Sequence, residues 1–151
     1  MYEIFLLTHN FLRGVAVIVT LLIIIRSLYA SILNMPWKKA DTIINGIAFL
    51  SYTLLEITGL ILYTLLSPVT HAAFSDFSLA MKNDTLRFFT IEHTVITMLA
   101  IIIATVAFVL LKRIKHNRVR FVISLFLWTA VFVFCIMGIP WWRPLIPYPL
   151  G

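Results

Sequence analysis

Four long apolar stretches, Ile4 to Leu33, Ile43 to Leu66, Phe88 to Leu111 and Val119 to Ile139, dominate a chain of 151 residues. A helix needs about 20 mainly apolar residues to cross roughly 30 Å of hydrocarbon, so the chain has room for four crossings and little else. Inside lipid the backbone groups must satisfy one another, which selects helices and disfavours internal proline. Pro36, Pro68 and Pro140 accordingly punctuate the ends of the stretches. The first stretch does not read as a signal peptide, because no basic segment precedes it and no small-residue cleavage site follows. The fold expected is all-α: a single transmembrane domain over residues 1–151, built as a four-helix up-down-up-down bundle because short links favour antiparallel neighbours.

Composition agrees with a bilayer. Hydrophobic residues make up 62% of the chain and charged ones 12%, which excludes an ordinary soluble globule. The net charge of +6 does not point to nucleic acid, since the basic residues sit in short links between apolar runs. They read as topology signals facing lipid headgroups. The face reached after the first and third stretches receives eight of them: Arg26, Lys38, Lys39, Lys112, Arg113, Lys115, Arg118 and Arg120. The opposite face receives Arg13, Lys82, Arg87 and Arg143. The positive-inside rule then places both termini outside, together with the longest link, 67–87, and Trp141, Trp142 and Tyr148 as an aromatic belt. Cys135 is the only cysteine, which rules out an internal disulfide, a CxxC pair and a thiolate metal cluster.

Chemistry is left to the few polar residues inside the stretches, where ionisable groups are expensive and are functional candidates by default. His9 and His93 lie near the starts of the first and third stretches. Those two run in the same direction, so their imidazoles fall at similar depth, and in a sequentially wound bundle they face each other diagonally. Two neutral imidazoles approaching at one level is the geometry that axial ligation of a haem iron requires; the alternative is that each bonds to a neighbouring helix. Thr97, Ala100, Ala104 and Ala107 share the stripe of His93, leaving room for a flat macrocycle or for close helix approach. Arg13, Arg87 and Arg143 are candidate partners for haem propionates, with interfacial snorkelling as the alternative. His71, in the outer link, is a weaker ligand candidate, and His116 falls in the basic inner link. Glu56, near the middle of the second stretch, is expected to be protonated or paired; an interhelical hydrogen bond and a proton-relay or quinone contact are its two readings. Glu92 adjoins His93 and points elsewhere on the helix.

The segments HNFLR (His9 to Arg13), GLILY (Gly59 to Tyr63), LRFFTIEH (Leu86 to His93) and GIPW (Gly138 to Trp141) resemble a family of short bacterial four-helix membrane proteins catalogued as cytochrome b or cytochrome b-like. The resemblance covers most of the chain and is most specific in LRFFTIEH. It implies haem b inside the bundle, with His9 and His93 as ligands, a bacterial inner membrane, and electron transfer rather than stand-alone enzyme chemistry. The large respiratory cytochrome b holds two haems through two histidine pairs, whereas this chain offers no second pair and at most one haem. A single outer haem cannot carry electrons through about 30 Å of bilayer. A membrane redox complex, a homo-oligomer or a membrane quinone has to complete the path.

The function expected is therefore a b-type haem-binding membrane cytochrome passing electrons between a quinol and an outer-face partner. A non-enzymatic accessory or assembly subunit of a larger membrane complex is the alternative. A four-helix membrane transferase fits less well because the second stretch contains no arginine, and a thiol oxidoreductase fails on one cysteine. Copper handling through His9, His93 and Met137 lacks the methionine clusters expected for a soft metal.

Overall fold

The computed structural model of the protein describes residues 1–142, and four of its helical segments are long and apolar enough to cross a membrane. The first, α1 (Tyr2–Ile32), ends in a turn through Asn34, whose φ of 51° lies in the left-handed region that asparagine tolerates better than most residues. The second, α2 (Lys39–Ile61), begins about one turn earlier than the apolar pattern alone places it. The reason is Asp41, which accepts the Lys38 backbone N–H at 2.8 Å and closes the first turn. α2 then runs into a π-helical turn, Leu62–Leu66.

The long link that follows folds into three short helices, α3 (Pro68–Ser75), α4 (Phe77–Ala80) and α5 (Asp84–Arg87). Ser67, Asp76 and Asn83 cap them by accepting a backbone N–H three residues on, and Pro68 occupies the first turn of α3, where it forfeits no bond. A second π-helical turn, Phe88–Glu92, leads into α6 (His93–Arg113), and α7 (Asn117–Met137) completes the bundle.

The four long helices alternate in direction. α1 packs against α2 and α7, and α6 packs against α7 and, less extensively, α2, so α1 and α6 form one diagonal and α2 and α7 the other. The start of α1 and the end of α7 share one face, called here the terminal face; the short links 33–38 and 114–116 define the opposite, link face.

One seam per helix faces the bundle axis, with the alternating three- and four-residue spacing of left-handed helix packing. On α1 it is Ala16, Thr20, Ile23, Ser27 and Ala30; on α6, Ala100, Ala104, Ala107 and Leu111; on α7, Phe121, Ser124, Trp128, Val131 and Cys135. Between helices surrounded by lipid tails there is little hydrophobic drive to associate, so close contact depends on small side chains and a few hydrogen bonds. Those bonds are present at several depths. Ser27 donates to Ser124 at 3.0 Å, the fully buried Trp128 donates from Nε1 to Asn45 Oδ1 at 2.6 Å, and the Thr20 hydroxyl lies 3.2 Å from that of Tyr52.

At the link face Arg26 donates from Nε to Asp41 Oδ1 at 2.8 Å, tying α1 to α2. Trp37 stacks near Phe121 and under the Arg120 guanidinium, fastening the first link to α7. The link-face end of the bundle is thus closed by charge and aromatic contacts.

Candidate functional site

The seams continue toward the terminal face and change character there. On α1 the next positions beyond Ala16 are Arg13 and His9, and on α2 the series Asp41, Asn45, Ala48, Tyr52 and Leu55 reaches Gly59. On α6 the series beyond Ala100 ends at Thr97 and His93; on α7 it passes Cys135 to Gly138, the cap of the helix. One layer of the bundle therefore carries histidines on one diagonal and glycines on the other.

The histidines meet across that layer, with ring centroids 6.4 Å apart and ring planes at 61°. Each is held from behind. His93 donates from Nδ1 to the Gly138 carbonyl oxygen at 2.7 Å. His9 Nδ1 lies 3.2 Å from Thr58 Oγ1, and because that hydroxyl already donates to the Leu54 and Leu55 carbonyls, the imidazole is the donor in this contact. With Nδ1 protonated in both rings, Nε2 carries the lone pair. This is the arrangement metal-binding histidines adopt, in which an outer hydrogen bond fixes tautomer and ring orientation.

Glycine leaves room for the His9 ring. A Cβ at Gly59 would come 3.2 Å from His9 Cε1, tighter than an ordinary van der Waals contact. Phe88 and Phe89 flank His93 at 5.8 and 5.9 Å, and Trp142 packs on Phe88 at 4.6 Å, forming an aromatic collar toward the terminal face.

Two cavities border the histidine pair. The outer one, of about 220 Å³, lies toward the terminal face and is bounded by the start of α1, the Ser67 to Thr70 turn and Pro140. The deeper one, of about 350 Å³, lies between α2 and α6 and reaches Glu56, Leu60, Met98 and Ile101. His9, His93, Arg13, Gly59 and Tyr63 line both. Tyr63 also donates its hydroxyl to the Thr90 carbonyl at 3.1 Å, joining the two π-helical turns.

The remaining sequence candidates fall in different places. Arg13 lies at the cavities; Arg87 does not line them, being engaged by Asp84 at 3.0 Å and Glu92 at 2.8 Å. That ion pair also accounts for Glu92. Arg143 and Tyr148 lie outside the described residues. His71 is exposed on α3 and His116 is exposed ahead of α7, each away from the pair. Glu56 lines the deeper cavity. Thr58, Gly59 and Gly138 escaped the sequence reading as site residues: one acts through a hydroxyl that is common in helices, one through missing volume, and one through a backbone carbonyl that every residue possesses.

Among the described residues no group of three or more His, Cys, Asp and Glu converges, whereas a structural zinc site takes four protein ligands. The His9 and His93 imidazoles, with ring centroids 6.4 Å apart, form a two-nitrogen donor set. Compared with models of known protein families, with curated proteins and with solved structures, the chain returns no match.

Proposed function

We propose that this multi-pass membrane protein is a b-type cytochrome that binds one haem b between His9 and His93. The observation that carries the reading is the pair itself: two imidazoles on diagonal helices, each anchored through Nδ1, with ring centroids 6.4 Å apart.

Haem supplies one-electron redox chemistry when bound. The protein's own residues orient the ligand nitrogens, exclude water through the aromatic collar, and offer Arg13 to a propionate. In this reading the electron path runs from a membrane quinol to a partner at the terminal face, and the eight-to-four division of basic residues supports that face as the outer one. Oxidation of a quinol releases protons as well as electrons, and Glu56, lining the deeper cavity, is the candidate proton acceptor. Glu92 is committed to Arg87.

The test is the visible spectrum of detergent-purified protein from haem-replete cells, with a pyridine haemochrome assay, repeated for His9→Ala and His93→Ala. A Soret band in the wild type and its loss in both variants is the expected result. A colourless wild type overturns the cytochrome reading in favour of an accessory or assembly subunit.

A further inference from the structure

Glu56 precedes the end of its span, Leu66, by ten residues, which at about 1.5 Å per residue puts it about 15 Å from the terminal face and near the middle of roughly 30 Å of hydrocarbon. No hydrogen bond or ion pair engages its carboxyl group among the described residues. An ionisable group left so within a span is expensive and calls for a partner. Glu56 lines the deeper cavity, and that cavity has a side turned to lipid: Leu60 and Met98 line it as well and are 58% and 50% exposed on the outside of the bundle.

The opening lies where α2 and α6 pack less extensively than the other neighbouring helices, and it has two firm edges. Toward the link face the Phe49 and Phe108 rings stack across the same two helices at 4.3 Å and 7°, with Lys112 Nζ 3.5 Å over Phe108. Toward the terminal face Tyr63 donates its hydroxyl to the Thr90 carbonyl at 3.1 Å. What enters between these clasps arrives dissolved in the bilayer. A phospholipid or a fatty acid keeps its charged head at the interface and presents only hydrocarbon at mid-depth, which leaves Glu56 without a partner. A quinone carries its polar atoms on an apolar ring that dissolves in the hydrocarbon, so its oxygens reach that depth. A carboxyl group suits both redox forms, because its hydroxyl donates to a quinone carbonyl and its carbonyl oxygen accepts from a quinol hydroxyl.

Resting on the quinol path proposed above, we infer that the deeper cavity is a quinone site entered sideways from the bilayer between α2 and α6, with the Glu56 carboxyl group hydrogen-bonded to a ring oxygen. The ring sits at Glu56, Leu60, Met98 and Ile101, on the lipid side of the chamber, and the apolar tail remains in the bilayer. A volume of about 350 Å³ falls within the about 300–1,000 Å³ usual for small-molecule pockets, whose walls are mostly apolar with a few placed polar groups.

Binding is read without reference to haem. The protein is placed in phospholipid nanodiscs with decylubiquinone or menadione, the discs are passed over a sizing column, and the quinone retained is extracted and compared with that in protein-free discs of the same lipid content. Retention above the empty discs for at least one of the two rings is expected, and no excess for either overturns the inference. Glu56→Leu should lower the affinity about tenfold, the size of one lost hydrogen bond, whereas Glu56→Gln, whose amide both donates and accepts, should keep most of it. Equal retention in Glu56→Leu and the wild type, or equal loss in Glu56→Leu and Glu56→Gln, overturns the contact with Glu56. Met98→Trp fills the mouth of the chamber and should abolish retention; Val133→Trp, on the lipid side of α7, should not. Equal retention in these two variants overturns entry between α2 and α6. A Soret band without quinone retention rejects the site and leaves the haem reading standing, and quinone retention without a Soret band does the reverse.

Discussion

His93 donates from Nδ1 to the carbonyl oxygen of Gly138 at 2.7 Å, so the ring that opens α6 is oriented by the last turn of α7. The acceptor is backbone and survives any substitution, yet its position depends on how closely α7 approaches α6. A Cβ at 138 would meet Thr97 Cγ2 at 3.3 Å and Ile96 Cγ2 at 3.5 Å. Gly138→Ala should therefore push the carbonyl by a few tenths of an ångström and weaken haem retention without abolishing it, while His93→Ala abolishes it. Competitive transfer of haem to apomyoglobin measures both. Equal loss in the two variants would contradict the proposed division between ligand and orienting group.

Thr58 plays the matching part for His9. Thr58→Val keeps the shape and removes one of the two oxygens offered to the His9 ring, the Leu55 backbone carbonyl being the other. Outer hydrogen bonds of metal-ligating histidines are worth about 10–100-fold in affinity, and a loss of that size is expected, with helix content unchanged by circular dichroism. Thr58→Ser, which retains the acceptor, should recover most of it. A Thr58→Val protein that holds haem as tightly as the wild type would remove the hydrogen bond from the account.

How much of this was legible in the sequence follows from range. The four spans, their alternating direction and the matched depth of His9 and His93 come from composition and from a helical rise that is the same in every chain. The inward stripe of Ala100, Ala104 and Ala107 was also readable, since small residues at helical spacing mark a close-packed face. Contacts set by the ends of helices were not. Starting α2 at Ile43 left Asp41 in the link and hid its pairing with Arg26, and reading 67–87 as a link hid the turn that borders the outer cavity. Arg87, one of the candidates for a propionate, is paired with Asp84 and Glu92. Which of several partners a cation takes depends on side-chain geometry that spacing does not encode.

The Asn45 and Trp128 contact is a prediction about stability alone. Trp128 is fully buried and its Nε1–H reaches Asn45 Oδ1 at 2.6 Å. Asn45→Ala leaves that donor without a partner, which costs about 1–3 kcal/mol for a buried group. Double-mutant cycles in membrane helices average about 0.6 kcal/mol, so a coupling near 1 kcal/mol between Asn45→Ala and Trp128→Phe is expected from unfolding in mixed detergent. Strict additivity would mean that the two side chains do not support one another.

Close approach at mid-depth gives the last prediction. Ala104 is fully buried on the α6 seam, whereas Val106 is 47% exposed and faces outward toward lipid. Ala104→Leu forces three extra carbon atoms between helices whose spacing is set by alanine, and overpacking of this kind costs about 1–3 kcal/mol. Val106→Leu adds one carbon on the lipid side, where changes stay within about 0.5 kcal/mol. Both variants are compared with the wild type by thermal melting in one detergent, so the same side chain is presented on the two faces of α6. The seam places Ala104 inside the bundle one turn beyond Ala100, which lines the deeper cavity, so Ala104→Leu should also lower haem retention while Val106→Leu leaves it unchanged. Equal melting temperatures for the two would show that α6 does not present this seam to its neighbours.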